Sequence, residues 1–328
     1  MHPFSYVAAS DVATALSLAS SRERTAFIAG GTNLLDLMKE HVLAPALLID
    51  LRGISSMRGI GDRTGAIRIG ALETMSAVAE HPAIARDAPV VREALLASAS
   101  PQLRNMATIG GNLLQRTRCG YFRDTAFACN KRQPGSGCPA IAGVSRMHAI
   151  LGTSQGCIAS HPSDLAVALV AVDASLVIQS AAGERITPLE HFYRMPAESP
   201  QTEHHLAHGE LIVAVDIPRA PVARMSHYLK VRDRASYEFA LVSAAVAIEW
   251  NAGIVSDARI VFGGIGTIPW RSHEAEAELR GQTLREDALA RAAAAATRTA
   301  ATTPHNGFKV DLAARTLKRA IETVQRMQ

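Results

Sequence analysis

The stretch from Gln102 to Asp164 constrains this chain more than any other. It reads QLRNMATIGGNLLQRTRCGYFRDTAFACNKRQPGSGCPAIAGVSRMHAILGTSQGCIASHPSD. All four cysteines of the 328-residue chain, Cys119, Cys129, Cys138 and Cys157, fall within it. Nine, eight and eighteen residues separate them. That is neither the paired C-x-x-C of a zinc ribbon nor the tight run of a bacterial ferredoxin, so spacing alone names no metal. The segment is loop-like, with Asn130, Pro134, Gly135, Ser136, Gly137 and Pro139. A long loop without periodicity is uncommon in a compact domain unless something ties it down. A metal centre is such a tie and supplies folding free energy directly.

Local charge fits that reading. Arg116, Arg118, Arg123, Lys131 and Arg132 crowd around the first two cysteines. Nearby cations are expected to favour the thiolate, the form that binds metal, and to offset the charge of four thiolates. Three other readings compete. Two disulfides need an oxidising compartment. Four separately buried thiols leave the clustering unexplained. Structural zinc on four thiolates remains open beside iron.

Composition excludes some functions. Hydrophobic residues make up 48% and charged residues 20%, as in a soluble folded protein. No run of eighteen apolar residues predicts a membrane span. The opening MHPFSYVAASDVATALSLAS lacks a basic region before an apolar core, so no signal peptide is expected. The net charge of +4 is scattered and aromatics are 5%, unlike a concentrated nucleic-acid-binding stripe.

Along the chain, residues 1–7 read as an entry strand and Ser10-Asp11 as the cap of the helix VATALSLAS. The strand 26–29 runs into Gly30-Gly31-Thr32-Asn33, with a helix from about Leu34. Glycines let backbone approach a phosphate, and helix-start N–H groups face the anion. This is not a G-x-G-x-x-G fingerprint, and one such turn is weak. Its weight comes from repetition at Gly110-Gly111-Asn112, so two turns could grip one pyrophosphate from two sides. Strands are expected at 46–51, 66–69, 175–180, 185–186 and 210–217. Helices are expected at 74–80, 90–98 and 165–173, with a short one at 188–193. Ser163-Asp164 fits the start of the 165–173 helix, where Asp164 either caps it or also reaches a nucleotide. After a linker at 218–221 come strands at 227–232, 240–250 and 253–263, then helices at 272–280, 285–299 and 310–327. Strands followed by helices argue an α+β unit.

Three words, Ala29-Gly30-Gly31-Thr32-Asn33-Leu34-Leu35, Ala107-Thr108-Ile109-Gly110-Gly111-Asn112-Leu113 and Ser163-Asp164, carry a resemblance over nearly the whole chain. The sequence resembles the FAD-binding medium subunit of the xanthine dehydrogenase, aldehyde oxidoreductase and carbon monoxide dehydrogenase family. One departure is informative. A long insert, 114–162, separates the second glycine turn from the Ser-Asp pair. It resembles the branch represented by the flavoprotein subunit of bacterial periplasmic molybdenum aldehyde oxidoreductase, and the 4-hydroxybenzoyl-CoA reductase flavoprotein is similar in bearing a cluster insert. The matching words are Gln115 to Cys119, Cys129 to Arg132, Pro134 to Cys138 and Cys157 to Asp164.

The resemblance implies an α+β chain: a two-subdomain FAD-binding fold of the PCMH/vanillyl-alcohol-oxidase type (1–55 and 56–218), then a CO-dehydrogenase-flavoprotein-like domain of three strands and three helices (222–328). It implies that Ala29, Gly30, Gly31, Thr32, Asn33, Leu34 and Leu35 wrap the FAD diphosphate, with Thr108, Gly111 and Asn112 touching it from the second subdomain. Asp164 would hold the adenosine side and Lys230 would lie near the flavin. It implies iron over zinc, as a [4Fe-4S] cluster on Cys119, Cys129, Cys138 and Cys157. It further implies a large partner subunit with a molybdenum cofactor, a small one with [2Fe-2S] centres, and an external electron acceptor. No catalytic acid, base or nucleophile is expected on this chain. The compartment would be the periplasm, by co-export with a partner, or the cytoplasm. A zinc-stapled scaffold without redox turnover and a stand-alone flavin reductase are the alternatives.

Overall fold

In the computed structural model, described over residues 1–197 and 199–328, the chain opens on a small parallel sheet. β1 (Ser5–Ala8) passes through α1 (Val12–Ser20) to β2 (Thr25–Ile28), and α2 (Leu34–Lys39) leads on to β3 (Leu47–Asp50). β3 lies between β1 and β2, parallel to both. All four of its residues are buried, Asp50 included, and Leu47, Leu48 and Ile49 form its apolar run. Asp11 caps α1 by accepting from the Thr14 amide at 2.7 Å, as its place in the sequence predicts.

The second sheet starts with the hairpin β4 (Ile60–Arg63) and β5 (Ala66–Gly70). A helical layer follows: α3 (Met75–Glu80), α4 (Pro82–Asp87), α5 (Pro89–Ala97), α6 (Pro101–Arg104) and α7 (Ile109–Leu113). The cysteine region then holds only one helical turn, α8 (Gly120–Arg123), before α9 (Asp164–Ala171). β6 (Ser175–Ser180), β7 (Gly183–Pro188) and β8 (Leu211–Pro218) complete an antiparallel sheet of order β4-β5-β8-β6-β7. The sequence reading missed β4 because it is an edge strand with three of four residues exposed, so no apolar alternation marks it.

After α10 (Pro221–Arg224) comes a third sheet, β9 (Ser226–Val231), β10 (Val242–Asn251), β11 (Ile254–Gly263) and β12 (Trp270–Arg271), followed by α11 (His273–Leu279), α12 (Glu286–Thr297) and α13 (Phe308–Gln325). The expected three strands become four, since the two-residue β12 is too short to leave a periodic signal. β10 is buried without a break from Val242 to Ile248 because both its faces are covered. Val242, Ala244, Val246 and Ile248 face the core under α11–α13, while Ala245 joins the core of the preceding sheets. α9 is buried at all eight residues, so it is apolar on every side rather than amphipathic. This central helix carries Ser163 and Asp164 at its N-terminus, and the Ser163 hydroxyl caps it by accepting from the Ala166 amide at 3.0 Å.

The cysteine insert is stitched to the third unit. The Ile150 and Leu151 amides both donate to the Ile265 carbonyl, and the Ala301 amide donates to the Ile150 carbonyl. Lys309, fully buried on α13, donates through Nζ to the carbonyls of His148 (3.0 Å) and Gly264 (2.8 Å).

Candidate functional site

The two glycine turns meet. Gly30, Gly31, Thr32, Asn33 and Leu34 line one cavity of about 210 Å³ with Thr108, Gly110 and Gly111. The meeting is backbone against backbone: a Cβ on Gly30 would lie 2.0 Å from the Met106 carbonyl oxygen, so no larger residue fits. Gly31 has φ +71, a left-handed conformation that glycine adopts without strain. Asn33 starts α2 without a side-chain cap bond. Its Oδ1 accepts from the Arg116 amide at 3.0 Å, whereas its Nδ2 is buried with no partner. A buried donor left unmet is costly, and a phosphate oxygen is the acceptor this wall lacks. At the second turn Thr108 caps α7, accepting from the Gly111 amide at 3.3 Å. A Cβ on Gly111 would meet only the Thr108 hydroxyl, at 3.0 Å, and would otherwise project into the cleft. The donor set and the bare glycine wall therefore fit a dinucleotide diphosphate. Ala29 and Leu35 flank this wall, with Ala29 lining the cavity and Leu35 packing under Gly31.

The cleft continues. Thr32, Asn33, Gly111 and Asn112 also line a cavity of about 440 Å³ that reaches Ser98, Asp164, Lys230, Tyr237 and Phe239. Asn112 joins the motifs directly, since its Oδ1 accepts from the Ser163 hydroxyl at 2.6 Å. Asp164 is held by three donors: the Tyr228 hydroxyl (2.6 Å), Lys230 Nζ (2.7 Å) and the Ser98 hydroxyl (2.9 Å). Burial, with Asp164 alongside, pushes the Tyr228 phenol well up and keeps it a donor. Lys230 is not a solvated lysine, for its side chain is 3% exposed and also reaches the Ala97 carbonyl at 3.3 Å. Asp164, expected on the adenosine side, and Lys230, expected near the flavin, form one ion pair and so stand together at one end of the cleft. Ser98 and Tyr228, which orient Asp164, were invisible in the sequence, lying 66 and 64 residues away in unrelated elements.

The four thiols also gather in one place. Cys119, Cys129, Cys138 and Cys157 line one small cavity together with Tyr121, Phe122, Lys131 and His148. No three His, Cys, Asp or Glu side chains among the described residues come close enough to hold a single metal ion. All four cysteines are free thiols, so the disulfide reading is not what the structure shows. The expected lowering of thiol pKa by cations is overturned. Burial pushes Cys119 up to about 11 and also raises Cys138 and Cys157, with neighbouring cysteines adding to the rise. The cations that were to lower them are engaged elsewhere. Arg116 pairs with Glu203 (2.6 Å) and Arg123 with Asp36 (2.6 Å), while Arg132 donates to backbone carbonyls including Tyr121 (2.7 Å) and Phe122 (2.6 Å). Only Lys131 acts on a thiol, that of Cys157, though it also pairs with Glu203 at 2.9 Å. Cys157 is buried and the other three are half-buried around this small void; a coordinated metal would deprotonate such thiols outright. His148 Nε2 lies 3.1 Å from Cys119 Sγ, and burial pulls that histidine down to about 4, which keeps it neutral.

Comparison with known proteins places these features. Residues 2–220 match the FAD binding domain in molybdopterin dehydrogenase, and residues 227–324 match the CO dehydrogenase flavoprotein C-terminal domain. The chain belongs to the FAD-binding medium subunits of the xanthine, aldehyde and CO dehydrogenase family, and is thus the flavoprotein subunit of a molybdenum-hydroxylase-type oxidoreductase complex. It is 46% identical over 319 residues to the aldehyde oxidoreductase FAD-binding subunit PaoB of Escherichia coli, covering 97% of this chain and 96% of that one. It is 25% identical over 289 residues to the glyceraldehyde dehydrogenase medium chain of Sulfolobus acidocaldarius, covering 88% and 85%. Among solved structures, reconstituted CO dehydrogenase from Oligotropha carboxidovorans superposes with a TM-score of 0.78 at 25% identity over 99% of each chain.

Proposed function

We propose that this chain is the electron-transferring subunit of a molybdenum-containing aldehyde oxidoreductase, holding FAD in the glycine-walled cleft and a [4Fe-4S] cluster on Cys119, Cys129, Cys138 and Cys157. The observation that carries the reading is the continuous cleft. Both glycine turns line it, it runs on to the Asp164–Lys230 pair, and a further cavity of about 730 Å³ joins that end to the wall holding Cys119.

The residues divide the work. Gly30, Gly31 and Gly111 let backbone approach the diphosphate, while Thr32, Asn33, Thr108 and Asn112 surround it with polar groups. Leu34 and Leu35 begin the helix behind it. Asp164 and Lys230, held by Ser98 and Tyr228, fix the far end of the cleft, which we assign to the flavin ring; the adenosine then lies toward Leu43 and Leu206. FAD supplies the redox chemistry when bound, and this chain positions it and excludes water.

What supports a cluster is the gathering of all four thiols round one void, and iron rather than zinc rests on the resemblance of the words Gln115 to Cys119 and Cys157 to Asp164 to the cluster-bearing branch. The aldehyde class rests on the printed name of the 46%-identical relative. The partners are then a large subunit bearing the molybdenum cofactor and a small subunit bearing [2Fe-2S] centres. Electrons pass from those centres to FAD and on to an external acceptor. No helix of the described residues is long and apolar enough to cross a membrane, and the complex works in the periplasm after co-export with a partner, or in the cytoplasm. Purification of the complex from its host tests this. Flavin bands over a broad iron–sulfur absorbance, with molybdenum and [2Fe-2S] subunits co-eluting, is the expected result. A colourless zinc protein, or a yellow protein free of partners, would overturn it.

A further inference from the structure

The arginines of the cysteine insert are not equivalent. Arg116, Arg123 and Arg132 have carboxylate or multiple carbonyl partners, as described above. Arg118 has none of these: among the described residues its one hydrogen bond runs from Nη1 to the Arg116 carbonyl at 2.8 Å, and its guanidinium stacks over the Phe239 ring at 5.1 Å. It forms no salt bridge with a described carboxylate, although it is half-buried. Desolvating a cation without an anion is costly.

Position says what the missing anion is. Arg118 lines the same cavity as Thr32, Asn33, Gly111 and Asn112, the walls of both glycine turns. The chain two residues earlier is tied to the first turn by the Arg116 amide bond to Asn33 Oδ1. A planar guanidinium matches phosphate oxygens in pairs, so the charge, the place and the donor geometry agree.

We propose that Arg118 is a further FAD-binding residue that pairs with the cofactor's diphosphate. The proposal rests on the cleft being the FAD site and adds a consequence. Arg118 precedes Cys119 directly, so the loop that holds the thiol also presents the diphosphate's counter-ion. Disorder of that loop therefore loosens FAD, while loss of FAD need not release the metal.

Arg118→Met and Arg118→Lys, made in the full chain, test it by FAD titration of flavin-stripped protein, with iron content measured in parallel. The Met variant should bind FAD about ten- to a hundred-fold more weakly, as loss of a charge-assisted bond implies, with a flatter salt dependence and iron retained. The Lys variant should recover part of the loss. Unchanged FAD affinity in the Met variant overturns the proposal while leaving the cleft assignment intact. Equal losses in both variants with iron lost as well would make Arg118 a structural prop, and also overturn it. Wild-type protein that takes up no FAD would instead sink the cleft assignment itself.

Discussion

The glycine cradle and the cysteine insert solve opposite problems. The cradle is shaped by the chain alone. Gly30 is pinned against Met106, Thr108 and Ser163 cap their helices, and Asn112 ties one motif to the next. Its unmet groups among the described residues are the Asn33 Nδ2 donor and the Arg118 guanidinium. The insert is shaped at its edges, by Arg132, Lys309 and the stitching to Ile265, yet its centre is a cluster of free thiols, of which Cys119, Cys138 and Cys157 are pushed up by burial. A cofactor should therefore dock into the first region and complete the second. Losing flavin should cost little structure, and losing metal should cost much more.

The largest expected effect breaks the insert. Cys119→Ser should abolish bound iron and destabilise residues 114–162, while FAD is retained in part. Metal analysis beside protease sensitivity reads both, and iron equal to wild type would remove Cys119 from the ligand set. Next comes the cradle. Gly111→Val should empty the FAD site without unfolding the chain, because its side chain points into the cleft and meets only the Thr108 hydroxyl. Normal flavin occupancy in a folded variant would remove this turn from the site. Lys230→Met should destabilise the chain by about 3–5 kcal/mol, since it strands the buried Asp164 carboxylate, and chemical denaturation of the FAD-free chain measures it.

The smallest effect sharpens the link between the insert and the C-terminal helices. Burial pulls Lys309 down to about 7 from a normal value of 10.5. Between those values the unfolded chain binds more protons than the folded one, so this lysine makes stability rise with pH from about 7 toward 10.5. Lys309→Met should reduce that slope by up to about 1.4 kcal/mol per pH unit. Denaturation midpoints across that range, identical in slope for both proteins, would show the lysine to be less buried than the structure has it.

How much of this was legible depended on the reach of each signal. The caps at Asp11 and Ser163, the start of α2 at Leu34 and the three last helices were readable, because capping and helical periodicity act over a few residues. The apolar runs of β3 and β10 announced strands, and the structure then buries both faces of each. Short edge strands such as β4 and β12 were not readable, nor was α4, whose six residues carry too little pattern. The cleft was half legible. Two glycine turns suggested a phosphate, but nothing local said that Asp164 would be saturated by Tyr228, Lys230 and Ser98. The charge argument at the cysteines failed for the same reason. Counting arginines along the chain cannot show that Glu203, Asp36 and backbone carbonyls claim them, leaving Arg118 without a carboxylate partner among the described residues.

Iron, acid-labile sulfide and flavin measured on one purified preparation test the central claim, a thiolate centre set between the two halves of a nucleotide cleft. The account predicts about four iron, about four sulfide and about one FAD per chain, with partner-borne centres subtracted. Zinc in place of iron, or flavin with no sulfide beyond the partners' share, would contradict it.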